Sequence, residues 1–470
     1  MVFSGLTFLF YFFPLFFFVY FLLPKSLKNY GLLIGSIVFY AWGAPKFVFV
    51  LLLSTVIDYY IVRKLYQSDK PNKKKWLTTS ITLNLGLLIY FKYANFFVDN
   101  VNVALQSLSI GTIPLPEILL PIGISFYTFQ TLTYSIDIYR GDNKPLKSVT
   151  DYVLYIMMFP QLIAGPIVRF GEIASQITHR PFSNKQVVEG FIRFCIGLAK
   201  KVLIANTLAI TADKIFALPP NEWTSTIAWL GILLYTFQIY FDFAGYSDMA
   251  IGMGKMLGFT FPENFDSPYT SISITEFWRK WHITLGSFMR DYLYKPLGGN
   301  RNGTFLTYRN LIIVFLLSGL WHGASWNFVL WGVFHGFFLV VERFTGLAKS
   351  TAFRSPRVVL TFVIVVLGWV VFRIEHTTDA LVFYKSLFQF NGTMPIYIYR
   401  KKLLFVLALA VLFSFISMTG IGKKWQNHFY NQSYSVKSLV TYFSLAVILF
   451  TLSVASLSTG SFNPFIYFRF

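Results

Sequence analysis

Charged residues are scarce in this sequence, at 13% of its 470 residues, whereas a soluble domain carries about 25%. Hydrophobic residues make up 55% of the chain, and 54 residues are phenylalanine. One soluble core cannot bury that much apolar surface, so the composition excludes a soluble globular, a disordered or a coiled-coil protein. The sequence therefore predicts an all-α integral membrane protein that crosses the bilayer many times.

Cysteine is nearly absent, since Cys195 is the only one. A single cysteine excludes an internal disulfide, a CxxC redox pair and a cysteine-rich metal site. The HExxH, GxSxG and Walker A motifs are missing as well, and the six histidines are scattered without carboxylates or thiols nearby. We therefore expect neither a bound metal nor a bound cofactor.

Acidic residues are half as numerous as basic ones, 20 against 40, which gives a net charge of +20. In a membrane protein such an excess collects in cytoplasmic loops beside anionic lipids, so membrane lipids rather than nucleic acid are the expected partners. The basic run over 63–75 predicts a cytoplasmic loop, and counting back three helices places the N-terminus outside. The stretch from Gly5 to Leu23 has no basic segment before it and no small-residue cleavage signal, and it is expected to be a retained first helix.

Successive apolar stretches, some broken by glycine and proline, predict about eleven membrane spans plus re-entrant segments. No linker or repeat divides the chain, so a single membrane domain is expected over 1–470. The segment 257–309 differs because it is densely polar. Trp278, Trp281 and Phe288 recur in it at helical spacing, which favours an amphipathic or re-entrant helix. We expect the chemistry of the protein in this part of the chain.

His322 lies in the apolar run LLSGLWHGASWNFVLWGVFHG with no other titratable side chain beside it. A group that titrates near neutral pH is costly at membrane depth, so its presence indicates function. A neutral histidine bonded between helices is the structural alternative. Gly319 and Gly323 either allow close helix packing or leave room for a substrate. His335 follows thirteen residues later, about 220° around a continuous helix, and should not share the face of His322.

His282 ends the motif EFWRKWH, 40 residues before His322. One helix cannot hold both histidines, so any pairing between them must be tertiary. Taken alone, His282 is more typical of a solvated or interfacial histidine. Intramembrane acids such as Asp58, Asp137 and Asp242 keep a proton-coupled transporter open as an alternative.

The run FDFAGYSDMAIGMGKMLGFTFPENFDSPYTSISITEFWRKWHITLGSFMRDYLYKPLGGNR, followed by GLWHGASWNFVLWGVFHG, resembles the membrane-bound O-acyltransferase (MBOAT) superfamily. Within it, the sequence resembles the alginate O-acetyltransferase branch, which includes peptidoglycan O-acetyltransferases. Further resemblance lies in MVFSGLTFLFYF, PIGISFYTFQTLTYSIDIYRGD, MMFPQLIAGPIVR and NPFIYFRF. The resemblance implies a ring of tilted helices around a central funnel in a bacterial cytoplasmic membrane.

The same resemblance implies transfer of an acetyl group from acetyl-CoA to a hydroxyl of an extracytoplasmic polysaccharide of the alginate, cellulose or peptidoglycan type. An SGNH-type acetyltransferase partner would complete the transfer where the polysaccharide is not reached directly. The invariant histidine of the family maps onto His322, the expected general base. The second histidine maps onto His282, which would orient the acceptor or stabilise an oxyanion. D-alanyl transfer to teichoic acid and a polysaccharide transporter or flippase remain alternatives.

Five further residues are candidates for substrate binding. Arg140, Lys144 and Lys147 would hold the phosphates of acetyl-CoA on the cytoplasmic side, although a lipid-facing loop explains them equally well. Arg279 belongs to the motif that ends at His282, and Trp321 precedes His322.

The C-terminal tail, 461–470, resembles the end of a small partner protein that accepts an acyl group on a tyrosine during D-alanylation of teichoic acid. The resemblance implies that Tyr467 is an acyl carrier, since a phenol is a competent nucleophile beside a base. Without it, the aromatic residues of the tail are typical of an anchor at the membrane interface.

Overall fold

The protein is described by a computed structural model, which covers residues 1–350, 352–393, 400–431, 434–460 and 465–466. Across these ranges the regular structure is helical, apart from one isolated antiparallel bridge between Phe265 and Trp281. The predicted all-α class is confirmed. The chain groups into two compact units, Met1–Val187 with Met253–Pro262 and Val188–Gly252 with Glu263–Phe470. The single domain over 1–470 stays a prediction.

The first unit contains eight complete α-helices. They are α1 (Phe13–Leu22), α2 (Lys28–Gly43), α3 (Phe47–Gln67), α4 (Lys70–Ser107), α5 (Ile124–Arg140), α6 (Val149–Met157), α7 (Phe159–Leu162) and α8 (Phe170–Thr178). The apolar stretch that precedes Gly165 forms α6 and the short α7 rather than one helix. Pro160 stands in the first turn of α7, where its missing N–H costs nothing, whereas inside a helix it would remove a hydrogen bond.

A buried carboxylate ties three helices of the first unit together. Asp58 on α3 accepts hydrogen bonds from Ser80 Oγ at 2.6 Å, Asn84 Nδ2 at 2.9 Å and Tyr152 OH at 2.6 Å. Ser80 and Asn84 lie on α4, and Tyr152 lies on α6. Both carboxylate oxygens are thus satisfied by neutral donors, as a buried polar group requires.

The remaining helices lie wholly or mostly in the second unit. They are α9 (Asn184–Ala199), α10 (Asn206–Phe216), α11 (Ser225–Met256), α12 (Ile274–Lys280), α13 (Ile283–Phe288), α14 (Thr304–His322), α15 (Trp326–Phe344), α16 (Arg354–Arg373), α17 (Thr377–Leu387), α18 (Lys401–Phe415), α19 (Gly420–Asn431) and α20 (Val436–Thr459). The first four residues of α9 and the last four of α11 are assigned to the first unit. A π-helical segment, Lys200–Ala205, joins α9 to α10, and a second one, Met289–Tyr294, follows α13.

Seven helical segments in the described ranges are long and apolar enough to cross a membrane. They are Lys70–Ser107, Ser225–Met256, Thr304–His322, Trp326–Phe344, Arg354–Arg373, Lys401–Met418 and Val436–Thr459. A shorter apolar helix covers Phe8–Leu22. The predicted polytopic membrane protein is confirmed, and the number of about eleven spans stays a prediction.

Candidate active site

The polar segment 257–309 does not form the continuous helix that its aromatic spacing predicts. α12 ends at Lys280, whose carbonyl accepts a hydrogen bond from the backbone N–H of Asp266 at 3.0 Å. The N–H of Ile283 donates to the carbonyl of Asn264 at 3.0 Å, and α13 begins there. Between the two helices, His282 has a φ of 46°, in the left-handed region that non-glycine residues adopt only at a cost. This break turns the side chain of His282 into the interior of the unit.

His282 is buried, not solvated, with 1% of its surface exposed. Its Nδ1 lies 3.1 Å from Oδ1 of Asn264. That oxygen also accepts from Thr284 Oγ1, while Nδ2 of the same amide donates to Ser247 Oγ. Because Oδ1 can only accept, Nδ1 of His282 carries the proton, and its Nε2 keeps a lone pair that bonds to none of the described residues. Burial lowers the pKa of His282 to about 3, so the imidazole is neutral.

His322 is the last residue of α14 and is buried. Two glycines bring α14 and α15 close together there. A Cβ on Gly319 would collide with the carbonyl oxygen of Phe328, and a Cβ on Gly332 would collide with the α14 backbone. Gly319 therefore serves close helix packing, rather than leaving room for a substrate. This approach sets the ring of Trp331 5.0 Å from the His322 imidazole, centroid to centroid.

A narrow cavity adjoins His322. Its lining residues are Ile239, Phe243, Trp281, His322, Trp331, Trp369, Phe372 and Ile466. The free space is about 10 Å³, roughly what one water molecule requires. Among the described residues that line it, His322 alone has an ionisable side chain, and the others are apolar or aromatic. Such walls keep bulk water away from the imidazole, which strengthens electrostatic interactions with a group that enters.

One aromatic ring separates the two histidines. The ring centroid of Trp321 lies 5.9 Å from that of His282 and 5.0 Å from that of His322. Phe243, which lines the cavity, packs edge-on against His282 at 4.7 Å. The tertiary fold thus brings together two residues 40 positions apart, although His282 does not itself line the cavity.

The other candidate residues do not gather at this cavity. Arg279 stands in the last turn of α12 and is exposed. Arg140 ends α5, Lys144 and Lys147 follow it in a loop, and all three are exposed residues of the first unit. Tyr467 lies outside the described residues. Within those residues, no three His, Cys, Asp or Glu side chains are grouped so that they could hold a metal ion.

The helical-wheel argument for His335 is wrong, because α14 ends at His322 and α15 begins at Trp326. The two histidines stand on different helices, and both rings lie 5.0 Å from the ring of Trp331. The signal for this break is the run Gly323, Ala324 and Ser325, in which a serine precedes the new helix as helix starts prefer.

Sequence reasoning also missed a contact of the C-terminal tail. The backbone N–H of Ile466 donates to Oδ2 of Asp242 at 2.8 Å, and the side chain of Ile466 reaches the cavity. The two positions are 224 residues apart, and nothing in the local pattern links them.

The sequence is similar to a known protein family and to several relatives within it. Residues 39–375 match the model of the MBOAT, membrane-bound O-acyltransferase family. The chain is 42% identical, over an alignment 502 positions long, to the probable alginate O-acetylase AlgI of Azotobacter vinelandii, with all of both chains covered. It is 38% identical to the peptidoglycan O-acetyltransferase of Helicobacter pylori, over 83% of this chain and 80% of the relative. Identity to the teichoic acid D-alanyltransferase of Streptococcus thermophilus is 28%, over 59% and 66%.

Proposed function

The chain belongs to the membrane-bound O-acyltransferase family, and from this membership and the site around His322 we propose that it transfers acetyl groups from acetyl-CoA to hydroxyls of an extracytoplasmic polysaccharide. It is an O-acyltransferase, and the two relatives that match most of its length are named as O-acetylating enzymes. The observation that carries the proposal is the single titratable group, His322, on the wall of an otherwise apolar cavity.

In the proposed reaction, His322 takes the proton of the acceptor hydroxyl while its oxygen attacks the thioester carbonyl. The carbon–sulfur bond breaks, the imidazolium returns the proton to the thiolate, and CoA leaves as the free thiol. A thioester is already activated, so the reaction needs no metal and no ATP. General base catalysis of this kind contributes roughly 10²- to 10⁴-fold in rate, and the aromatic walls limit hydrolysis by excluding water.

His282 is proposed to orient the acceptor. Since its Nδ1 donates to Asn264, its Nε2 can accept a hydrogen bond from a hydroxyl but cannot donate one to an oxyanion. Of the two roles that the family resemblance implies, this tautomer favours orientation of the hydroxyl. Trp321, between the two imidazoles, would hold them at a fixed separation.

The route of the acetyl group is proposed from the predicted orientation, with the N-terminus outside the cytoplasmic membrane. Arg140, Lys144 and Lys147 would attract the CoA phosphates from the cytosol, and Arg279 is a further candidate for substrate binding. On the outer side, an SGNH-type acetyltransferase would pass the group to the polysaccharide.

Tyr467 is proposed as a covalent carrier between the two sides. Its phenol would lose its proton to His322, attack acetyl-CoA and become an aryl acetate, and a later acceptor hydroxyl would regenerate the phenol. Tyr467→Phe separates this role from an interfacial anchor, because the anchor tolerates the loss of one hydroxyl. Normal polysaccharide acetylation in that variant, with no acetylated C-terminal peptide in the mass spectrum of the wild type, would exclude the carrier.

The function is tested with the purified protein in lipid nanodiscs. Free CoA should appear from acetyl-CoA only when a polysaccharide acceptor, or the partner that delivers to it, is present. Turnover of a D-alanyl carrier thioester instead would identify the teichoic acid alternative. Acceptor movement without release of CoA would identify a transporter.

A further inference from the structure

The C-terminal segment of the chain reaches the cavity that holds His322. Phe465 and Ile466 are buried, with 0% and 2% of their surfaces exposed. The ring of Phe465 stacks on Tyr246 at 4.5 Å and lies 6.0 Å from Phe243, both on α11. Ile466 forms part of the cavity wall. Phe465 and Ile466 are thus packed into the second unit at the place where acyl transfer is proposed.

A buried ion pair meets this segment. Nζ of Lys201 lies 2.7 Å from Oδ1 of Asp242, and both side chains are almost fully buried. Lys201 belongs to the π-helical segment Lys200–Ala205, a local distortion that is frequent at functional sites. The other carboxylate oxygen, Oδ2, receives the backbone N–H of Ile466 at 2.8 Å. The pair therefore holds the carboxylate between a side-chain cation and the backbone of the tail.

The chemistry of these groups points to a role in docking. Burying two charges is expensive, and a close ion pair often no more than balances that cost. Charges inside membrane helices are accordingly rare and mark functional positions. A carboxylate is also a stronger acceptor for a backbone N–H than a neutral oxygen is. The ion pair places the Lys201 cation beside the carboxylate that accepts this bond.

We propose that the Lys201–Asp242 pair is a docking site for the peptide backbone of the C-terminal segment, and that this docking sets the shape of the cavity beside His322. Asp242 and Lys201 are positioning residues that act through Ile466. The cavity has room for about one water molecule, so a larger acetyl group requires part of the wall to move. Ile466 belongs to none of the α-helices, so its movement would open the wall without displacing one of them. The docking of the C-terminal segment on Asp242 does not depend on the proposed function, whereas its effect on catalysis rests on that function.

Thiol labelling tests the docking without an activity assay. Cys195, the only native cysteine, is replaced by alanine, and Ile466→Cys reports the position of the tail. Ser453→Cys on α20, which is equally buried, is the matched control in a separate protein. Methyl methanethiosulfonate labelling in nanodiscs is followed by intact mass, with and without the double substitution Lys201→Met/Asp242→Leu. This double substitution removes both charges at once, so that neither is left buried alone.

The proposal predicts that the double substitution accelerates labelling at position 466 by roughly tenfold or more, because a hydrogen bond to a charged group is lost. Labelling at position 453 should not change. Unchanged protection at position 466 would overturn the proposal, because other contacts would then hold the tail. Equal acceleration at both positions would overturn it as well, since the ion pair would then support the fold as a whole.

A second variant leaves the ion pair intact, in case the double substitution does not fold. Ile466→Pro removes the N–H that Asp242 accepts and leaves both charges in place, although it also fixes φ and changes the side chain. Ile466→Val changes the side chain but keeps the N–H. We expect CoA release to fall at least tenfold in the proline variant, with kcat rather than the KM for acetyl-CoA changed, and to be largely restored in the valine variant. Equal activity of the two variants would overturn backbone docking. Absence of CoA release in the wild type would contradict the proposed function and leave the labelling result standing.

Discussion

Asp58 in the first unit and His322 in the second are both buried titratable residues, yet their surroundings differ in kind. Three neutral donors on α4 and α6 satisfy both oxygens of Asp58. The imidazole of His322 is packed instead among the rings of Trp321, Trp331 and Phe372, at 5.0 to 5.2 Å, and it faces a cavity. The hydrogen bonds of Asp58 fix helices to one another, whereas the position of His322 on a cavity wall lets a substrate reach the imidazole.

Replacing His322 should give the largest effect on activity. His322→Ala removes the general base and is expected to lower kcat by about 10²- to 10⁴-fold, while the melting temperature in detergent stays close to that of the wild type. The measurement is CoA release together with thermal unfolding on the same preparation. A variant that retains activity within about tenfold would show that His322 is not the base.

Replacing Asp58 should show the opposite pattern. Asp58→Ala takes the acceptor from the buried Tyr152 hydroxyl, at a cost of about 1–3 kcal/mol. Ser80 and Asn84 each lose one bond and keep another, to Ser135 Oγ and to the carbonyl of Ser80. We expect a lower melting temperature and less folded protein, with kcat per folded molecule unchanged. Asp58→Asn retains one acceptor oxygen and should lose less stability. A loss of kcat at full stability would assign Asp58 a part in the reaction, and the distinction between a structural Asp58 and a catalytic His322 would be wrong.

Replacing His282 should have a smaller effect than replacing His322. His282→Ala removes a group that orients the acceptor, and we expect about a tenfold to hundredfold loss of kcat/KM. The pKa of His282 is lowered to about 3, so the ring binds no proton until the pH falls to that value. The acidic limb of the pH–rate profile, measured between pH 5 and 8, should therefore not move in the variant. A shifted limb would show that His282 titrates during turnover.

The smallest effect is expected at Asn264, which fixes the tautomer of His282 through Oδ1. Asn264→Ala should reduce activity by only a few-fold. Because the amide acts through His282, the variant His282→Ala/Asn264→Ala should be no less active than His282→Ala alone. Additive losses in this double-mutant cycle would assign Asn264 a separate role.

The membrane class and the placement of His322 within an apolar helix could be predicted, because both depend on the composition of the sequence around them. An isolated imidazole in a long apolar run is visible in one stretch of sequence. The two glycines that bring α14 and α15 together also lie within that stretch.

The break at His282 could not be predicted in this way. The aromatic spacing around Trp281 fits a helix, but backbone hydrogen bonds with Asn264 and Asp266 interrupt it, and these partners are set by the tertiary fold. The contact between Asp242 and Ile466 is harder still, because a backbone N–H carries no sequence signal.

Acetyl transfer beside His322 is tested most directly by a structure of the protein with a non-cleavable acetyl-CoA analogue, in which a methylene group replaces the thioester sulfur. If His322 is the general base, the acetyl carbonyl carbon should lie in the aromatic cavity, within about 4 Å of where a hydroxyl bonded to the His322 imidazole would lie. Ile466 should be displaced as well. An acetyl group bound away from His322, with the cavity closed and Ile466 still bonded to Asp242, would contradict acetyl transfer at His322.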